Sequence, residues 1–189
     1  MNIEVKPIFQ TYIAHGHISD HEIVTRELAH VMSGVPEENL NKRFDLWDYC
    51  TEEHQTLAKF KNVLCAIVGN INDQVEVNSR SRFEVSRSWC VQVNGHYDPP
   101  HHHSQSKWVS VYYASAPEGC GDLLLLDPRG GVYAEQIEEN GLTNRAFKRI
   151  TPKTGDLIIF PGYLIHMVEP SNCAEPRVVM ASLFREIYA

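Results

Sequence analysis

Residues 95–113, GHYDPPHHHSQSKWVSVYY, place a histidine-rich segment directly before an apolar run. Four of the ten histidines in the chain lie in the eight residues from His96 to His103, and the segment from Trp108 to Tyr113 has the composition of a core strand. Imidazole is the commonest metal ligand in proteins. This stretch therefore predicts a metal site next to a buried β-strand.

On both sides of this stretch the hydrophobic pattern has the period of a β-strand. Between Phe83 and Val93 the apolar residues fall mainly on odd positions and the polar residues on even ones. Turns rich in Gly, Pro and Asn separate the other predicted strands, which cover residues 108–115, 123–126, 131–134, 156–160, 165–168 and 177–184. Many short strands joined by such turns are typical of a sandwich or a double-sheet jelly roll.

Before about residue 80 the hydrophobic period is helical instead. The segment Ser19-Asp20-His21-Glu22 is a capping-box pattern, and the helix that it begins is expected to stop at Ser33-Gly34. Thr51 is expected to cap a second helix that ends near Gly69-Asn70. The first fifteen or so residues, in which Ile3, Val5 and Ile8 flank Pro7, predict a short edge strand. The two helices should pack on the outside of one sheet.

The composition is that of a globular protein with one core. The chain has 189 residues, of which 43% are hydrophobic and 22% are charged. Its net charge of −7 argues against nucleic acid or an anionic membrane as the main partner. We expect neither a membrane span nor a signal peptide. The five cysteines show no C-x-x-C spacing, so we expect a reducing cytoplasm as the location.

The histidines at 101, 103 and 166 are candidate metal ligands. On a strand, His101 and His103 would project to one face and His102 to the other. His166 is a lone histidine in a hydrophobic segment, which makes it a natural third ligand for an upstream H-x-H pair. Taken alone, each feature has another interpretation, since an H-x-H pair also occurs in surface loops and a lone histidine also occurs as a satisfied core residue.

Five sequence elements then follow one another in a recognisable order. They are a glycine six residues before the first ligand (Gly95 and His101), a strand with paired tyrosines (109–113), a Gly-rich segment with an acidic-Pro element (119–129), the P-x-x-G-x-L-x-x-F segment (152–160), and H-x-V-x-P followed by an arginine (166–170 and Arg177). In these elements the chain from Trp89 to Phe184 resembles the prolyl-hydroxylase-like Fe(II)/2-oxoglutarate-dependent oxygenases. It is most similar to their bacterial and phage branch, in which the first ligand motif is H-x-H.

The resemblance implies a fold and a site. The fold would be mainly β with N-terminal α-helices, a double-stranded β-helix of the jelly-roll, cupin-like kind. The whole chain, 1–189, would form a single oxygenase domain, with a helical support region over 1–80 and the double-stranded β-helix core over 81–189. His101, His103 and His166 would ligate Fe(II), while Arg177 and Tyr113 would bind the distal carboxylate of 2-oxoglutarate. No catalytic residue beyond the metal ligands is implied.

The implied reaction is hydroxylation of a substrate with release of succinate and CO₂. The sequence does not distinguish a small molecule from a peptide as the substrate, and it leaves both a monomer and a homo-oligomer open. Substrate specificity is expected in loops around the barrel mouth, in residues 129–150 and 72–82. Asp127-Pro128-Arg129 predicts a turn with a local salt bridge, and Trp89 and Trp108 are expected in the core.

Three positions depart from the family pattern. His103 stands where a carboxylate is usual, Gln92 stands where many relatives have a tyrosine, and Val179 stands where a serine is common. The first departure leaves two other functions open, a three-histidine cupin-like dioxygenase that uses no 2-oxoglutarate and a non-catalytic jelly-roll module.

A rival ligand set would restore the usual chemistry. His96 and Asp98 form a literal H-x-D motif that could act with His166. The position of Gly95 argues against this set, and so does the expectation that Pro99 and Pro100 interrupt the strand just after it.

Overall fold

The computed structural model of the protein describes residue 4 and residues 9–36, 45–76, 81–93, 95, 97–129 and 147–187. Within these residues, antiparallel strands form two sheets. The strands are β1 Ala14–His17, β2 Arg82–Val93, β3 Asp98–His101, β4 Trp108–Ser115, β5 Leu123–Leu126, β6 Phe147–Ile150, β7 Asp156–Pro161, β8 His166–Val168 and β9 Arg177–Ile187. The larger sheet has the order β1-β7-β4-β9-β2 and the smaller one the order β3-β8-β5-β6.

The two sheets enclose an apolar interior. Alternate residues of the larger sheet, including Val109, Tyr113, Ile158 and Phe160, pack in one cluster with Leu123, Leu125 and Ile150 of the smaller sheet. These side chains alternate along each strand with residues of the opposite face, as the pleat requires. The arrangement is a jelly roll, which confirms the predicted mainly β fold class.

Two α-helices cover the outer face of the larger sheet. They are α1, His21–Ser33, and α2, Gln55–Val75, with a 3₁₀ turn at Leu46–Tyr49 between them. Their apolar faces form a second cluster with outward residues of the sheet, and the rings of Phe60 and Tyr112 meet edge to face at 5.1 Å. The expected packing of the helices on one sheet is confirmed. Among the described residues, no helix combines the length and apolarity needed to cross a bilayer.

The helix starts differ from the sequence prediction. The cap of α1 is Asp20, whose side chain makes no capping hydrogen bond, so the capping box predicted at Ser19 is wrong. The predicted start of the second helix at Thr51 is also wrong, since α2 begins at Gln55. Instead of a local cap, the carboxylate of Glu27 on α1 accepts hydrogen bonds from the backbone N–H groups of Thr56 and Leu57. A contact between the two helices therefore takes the place of a local cap, which sequence spacing could have predicted.

The second helix also continues past its predicted end at Gly69-Asn70. It reaches Val75 because Val68 and Asn72, four residues apart, are both buried on its inner face. Asn72 accepts a hydrogen bond from the indole of Trp108, 3.1 Å away. Tertiary contacts outweigh the weak helix propensity of glycine at this position.

Most of the predicted strands are confirmed within a few residues of their bounds. The edge strand expected in the first fifteen or so residues is one exception, since Ile3, Val5 and Ile8 lie outside the described part and the first strand there, β1, begins only at Ala14. The strand predicted at 131–134 also lies outside the described residues, as do most of the predicted specificity loop 129–150 and residues 77–80 of the loop 72–82.

Strand β3 corrects the expectation about the two prolines. Pro99 and Pro100 lie inside β3 rather than interrupting a strand. They are tolerated because β3 is the edge strand of the smaller sheet, and its pairing with β8 shifts register between Asp98 and His101. The chain is therefore extended up to His101, where the strand ends.

Candidate metal and cosubstrate site

Three histidines meet inside the jelly roll. His101 ends β3 and pairs directly with His166, the first residue of β8. His103 lies beyond the strand end, in a loop where its N–H donates to the carbonyl of Gly162 at 2.7 Å and its own carbonyl accepts from the N–H of Ser106 at 2.8 Å. One ligand nitrogen from each histidine lies within 4.8 Å of those of the other two. A loop held by backbone hydrogen bonds, rather than strand alternation, brings His103 to this cluster.

The imidazole tautomers of two histidines follow from their hydrogen bonds. Nδ1 of His101 lies 2.8 Å from the carbonyl oxygen of Pro99, and Nδ1 of His166 lies 3.0 Å from that of Leu164. A carbonyl oxygen can only accept, so Nδ1 carries the proton in both rings. Each Nε2 then has a lone pair for a metal, which is the outer-shell arrangement usual for ligating histidines.

The cluster has an apolar wall and one open side. His166 is buried, whereas His101 and His103 are half-buried. The ring of Phe160 packs on His166 at 4.8 Å between centroids, and the ring of Trp89 lies 5.6 Å from His103. Trp89 is buried, as predicted, but sequence reasoning missed that it borders the cluster.

Gly162 permits the close approach of the His103 loop. A Cβ at this position would overlap the carbonyl oxygen of Ser106 and lie 2.6 Å from that of His103. The glycine therefore contributes to the position of His103 through backbone contacts. The only sequence signal for this role is its place in a Pro-Gly turn before His166.

Asp98 lies at the edge of the same cluster. Its Oδ2 atom is 3.8 Å from Nε2 of His101, the nitrogen that is left for a metal, and its side chain is 41% exposed. His96, the other member of the rival H-x-D set, lies outside the described residues. Asp98 is thus near enough to contribute negative charge to the site, whereas His103 has its ligand nitrogen within the cluster.

Arg177 and Tyr113 lie on the inner face of the larger sheet. Tyr113 pairs with Val179, two residues beyond Arg177, so the arginine and the tyrosine belong to neighbouring strands at almost the same level. Both are nearly inaccessible, at 3% and 1% exposure. Burial raises the pKa of the Tyr113 hydroxyl, although the charge of Arg177 opposes this rise.

The guanidinium of Arg177 is buried and binds a backbone carbonyl. Its Nη1 donates to the backbone carbonyl of Cys120 at 2.6 Å, and among the described residues no Asp or Glu side chain forms an ion pair with it. Two nearby acidic side chains have another partner, since Asp122 and Glu169 both form ion pairs with Arg149. A buried cation of this kind favours an anionic ligand.

The remaining residues that the sequence singled out, a predicted salt bridge and two departures from the family pattern, have structural roles. Asp127 and Arg129 form the predicted local salt bridge, with Nε of the arginine 2.9 Å from Oδ1. Val179 packs in the inner apolar cluster. Gln92 lines a groove beside α1 on the outer face, with Thr25 and Met32. The two family departures at 92 and 179 therefore add no polar group beside Arg177.

The residues present fit a divalent metal and a 2-oxo acid. The cluster offers three imidazole nitrogens, two of them with the tautomer fixed for ligation, and imidazole suits Fe(II). The buried guanidinium offers a fork that matches a carboxylate, and the protonated Tyr113 hydroxyl offers a further donor. A jelly roll with a three-histidine cluster and a buried arginine is typical of metal-dependent enzymes built on a double-stranded β-helix.

The family follows from comparison with known sequences. The family model described as "Putative 2OG-Fe(II) oxygenase" matches residues 87–182, about half of the chain, including the three histidines of the cluster and Arg177. The chain belongs to this family of oxidoreductases, which implies Fe(II) and 2-oxoglutarate as cofactors. A search of curated proteins gave no match.

Solved structures share the fold. The non-heme alpha ketoglutarate dependent epimerase SnoN from nogalamycin biosynthesis superposes with a TM-score of 0.64 at 10% identity, over 92% of this chain and 77% of its own. A prolyl-4-hydroxylase from Pseudomonas putida gives a TM-score of 0.56 at 14% identity, over 92% and 86%. These identities are low, so the likeness concerns the fold alone.

A third solved structure is matched over a smaller share of its length. It is an oxidoreductase of the 2OG-Fe(II) oxygenase family from Burkholderia pseudomallei, with 13% identity and a TM-score of 0.46. The match covers 60% of this chain, and this chain spans about half, 49%, of that protein.

Proposed function

We propose that the protein is an Fe(II)- and 2-oxoglutarate-dependent dioxygenase that hydroxylates a small molecule or a peptide. In this proposal His101, His103 and His166 hold the metal, and Arg177 with Tyr113 binds the distal carboxylate of 2-oxoglutarate. The observation that carries the proposal is the buried guanidinium of Arg177, which no carboxylate among the described residues neutralises. A three-histidine enzyme without a 2-oxo acid would have no use for this charge.

The electrostatics of the cosubstrate site support this role for Arg177. An unpaired buried cation is costly, and a bound carboxylate would offset that cost through a bidentate, charge-assisted pair. Burial raises the pKa of Tyr113, so its hydroxyl keeps its proton and can donate to the same carboxylate. The two side chains together would fix one end of an extended dicarboxylate.

The protein residues hold and orient the reactants. When bound, Fe(II) and 2-oxoglutarate supply oxidising chemistry that converts 2-oxoglutarate and O₂ into succinate and CO₂ while a substrate C–H bond becomes C–OH. The carbonyls of Pro99 and Leu164 fix the tautomers of His101 and His166, and Phe160 excludes water on one side of the cluster. Three imidazole ligands would bring no negative charge, so the cosubstrate and nearby Asp98 would balance the charge of the metal.

The test uses absorption spectroscopy and product analysis. Anaerobic protein is mixed with Fe(II) and 2-oxoglutarate and examined for a visible charge-transfer band, and succinate release is then measured in air. We expect both signals in the unaltered protein, and we expect His166→Ala and His103→Ala to lose them. His102→Ala is the matched control, since His102 is an exposed histidine between two of the ligands and should keep both.

Each result separates the alternatives. Iron binding without the band or succinate would overturn the use of 2-oxoglutarate and favour a three-histidine dioxygenase, to which the histidine at position 103 is suited. Failure to bind iron would favour a non-catalytic module. Full iron retention in His103→Ala, together with loss of iron in Asp98→Ala, would show that Asp98 and not His103 is the third ligand.

We also propose a cellular location and a domain organisation. We propose a reducing compartment such as the cytoplasm, which is supported by the five cysteines, all present as free thiols. Residues 1–80 would support a catalytic core formed by residues 81–189 in one domain. We propose no nucleic acid or membrane partner, and size measurement in solution would distinguish a monomer from a homo-oligomer.

A further inference from the structure

A second group of histidines surrounds a carboxylate at the edge of the larger sheet. His15 and His17 project from β1 toward Asp156, the first residue of β7. Nε2 of His15 lies 3.2 Å from Oδ2 of Asp156, and Nδ1 of His17 lies 3.2 Å from Oδ1. Asp156 is buried, whereas the two imidazoles are about half-exposed.

This group is separate from the first histidine cluster. Strand β7 runs from Asp156 to Pro161, next to Gly162, whose carbonyl holds the loop of His103. Five residues of extended chain span about 16 Å. The two groups therefore lie toward opposite ends of β7, and one ion cannot contact both.

Each histidine–carboxylate distance suits two ligands of one metal ion. Two ligand atoms that bind zinc at its usual bond lengths in a tetrahedron are about 3.3 Å apart, close to both observed N···O separations. The two histidines contact different oxygens of Asp156, and the three ligand atoms do not all lie within 4.8 Å of one another as those of the first cluster do, so one imidazole must turn to share an ion with the other. Their exposure leaves room for that rotation.

A third histidine and a glycine complete the group. The ring of His21, at the start of α1, lies 5.3 Å from that of His17, and its buried Nδ1 has no hydrogen-bond partner among the described residues. A Cβ on Gly155 would lie 2.6 Å from Cε1 of His17 and 2.8 Å from the ring of His21. The glycine, with a φ of +89°, leaves the space in which the imidazoles gather beside Asp156.

We propose that His15, His17 and Asp156 form a second metal site, which binds Zn²⁺ or a similar borderline divalent ion, with His21 as the candidate fourth ligand. The donor set of imidazoles and one carboxylate is typical for zinc. Such an ion would fasten the edge strand β1 and the start of α1 to β7. The proposal does not depend on the oxygenase activity.

Zinc stoichiometry in a variant without the first cluster tests this proposal. The His101→Ala/His166→Ala variant is freed of metal, dialysed against Zn²⁺ and analysed by mass spectrometry of the bound metal. We expect one equivalent of zinc, lost when His15→Ala and His17→Ala are added. The dissociation constant should rise by more than about 100-fold, because losing a ligand costs more than losing an outer-shell partner. His30→Ala, an exposed histidine elsewhere on α1, is the control and should retain the ion.

Two results would overturn the proposal. One is the absence of zinc from the His101→Ala/His166→Ala variant with a normal circular dichroism spectrum, and the other is unchanged binding after both His15 and His17 are replaced. If the His101→Ala/His166→Ala variant does not fold, the zinc content of the unaltered protein is measured instead. Its total zinc should then fall by one equivalent in His15→Ala/His17→Ala, and an unchanged total would contradict the site.

Discussion

The guanidinium of Arg177 binds the backbone of Cys120, the residue directly before Gly121. Nη1 donates to the carbonyl of Cys120 at 2.6 Å, and a Cβ on Gly121 would lie 3.2 Å from the same nitrogen. That Cβ would also overlap the carbonyl oxygen of Glu169, and Gly121 has a φ of +90°, a conformation that favours glycine. The position of the buried cation therefore depends on the absence of a side chain at 121.

Gly121→Ala tests this dependence. We expect the free energy of unfolding to fall by about 1–3 kcal/mol from backbone strain, more if the overlap with Glu169 is not relieved, and 2-oxoglutarate binding to weaken as Arg177 shifts. Urea unfolding and calorimetric titration measure the two effects. Gly119→Ala is the matched control, because Gly119 also has a positive φ, +79°, but its nearest neighbours are 3.9 Å away. Equal losses in both variants would show that only the φ angle matters.

Arg177→Gln tests the charge itself. We expect the affinity for 2-oxoglutarate to fall at least about 10-fold, since a charge-assisted pair contributes about 1.5–3 kcal/mol. We expect 2-oxoglutarate to raise the melting temperature of the unaltered protein but not that of Arg177→Gln. Arg149→Gln is the control, because Arg149 is an exposed arginine that already pairs with Asp122 and Glu169. Unchanged 2-oxoglutarate affinity in Arg177→Gln would remove the proposed anchor.

The sequence predicted the parts of this fold that local pattern determines. The apolar run that begins at Trp108 predicted the strand Trp108–Ser115 with its observed bounds, and H-x-H with His166 indicated the residues that cluster. The missed strands are those without a local apolar pattern. Phe147–Ile150 has charged residues in its middle, and Asp98–His101 contains two prolines that only an edge position permits.

Contacts between distant segments could not be predicted from local pattern. The caps of the helices are an example, since Glu27 serves the start of α2 from 29 residues away. The hydrogen bond between Gly162 and His103 and the group of His15, His17 and Asp156 are others. Each depends on which strands become neighbours, and this information is not present in the period of the sequence.

Asp156→Asn tests the electrostatics of the second histidine group in metal-free protein. Burial acts to raise the pKa of Asp156, but the N–H of Lys153 and the imidazoles of His15 and His17 outweigh it, so the pKa lies below the ordinary 3.8. A carboxyl whose pKa is depressed by folding stabilises the protein above about pH 4 and loses that contribution as the pH falls through its folded pKa. The stability difference between the two proteins should therefore shrink below about pH 4.

Urea unfolding at a series of pH values measures this difference. Asp73→Asn, at an exposed position of α2, is the control, since surface substitutions usually change stability little. A stability difference that stays constant from pH 7 to pH 3 would contradict the depressed pKa of Asp156.

Glu27→Gln tests the contact that replaces a local helix cap. The carboxylate accepts from the first N–H groups of α2, where the helix dipole favours negative charge. We expect a loss of about 0.5–2 kcal/mol, the range for a helix cap. Glu22→Gln, in the exposed first turn of α1, serves as the comparison. If both variants are equally stable, the contact between the helices adds nothing beyond an ordinary surface charge.

Gly162→Ala tests whether the loop of His103 sets the geometry of the first histidine cluster. An added Cβ would lie 2.6 Å from the carbonyl oxygen of His103 and would overlap that of Ser106, so the loop must move away from β7. His103 would move with it while His101 and His166 stay paired between β3 and β8. We expect the Fe(II) affinity to fall by about 10–100-fold, the usual cost of disturbing an outer-shell position. Gly69→Ala, on α2 with no atom within 4 Å of an added Cβ, should leave the affinity unchanged. An unchanged affinity in Gly162→Ala, with the unfolding free energy lowered, would mean that His103 is not a ligand, because the other two histidines do not depend on this loop.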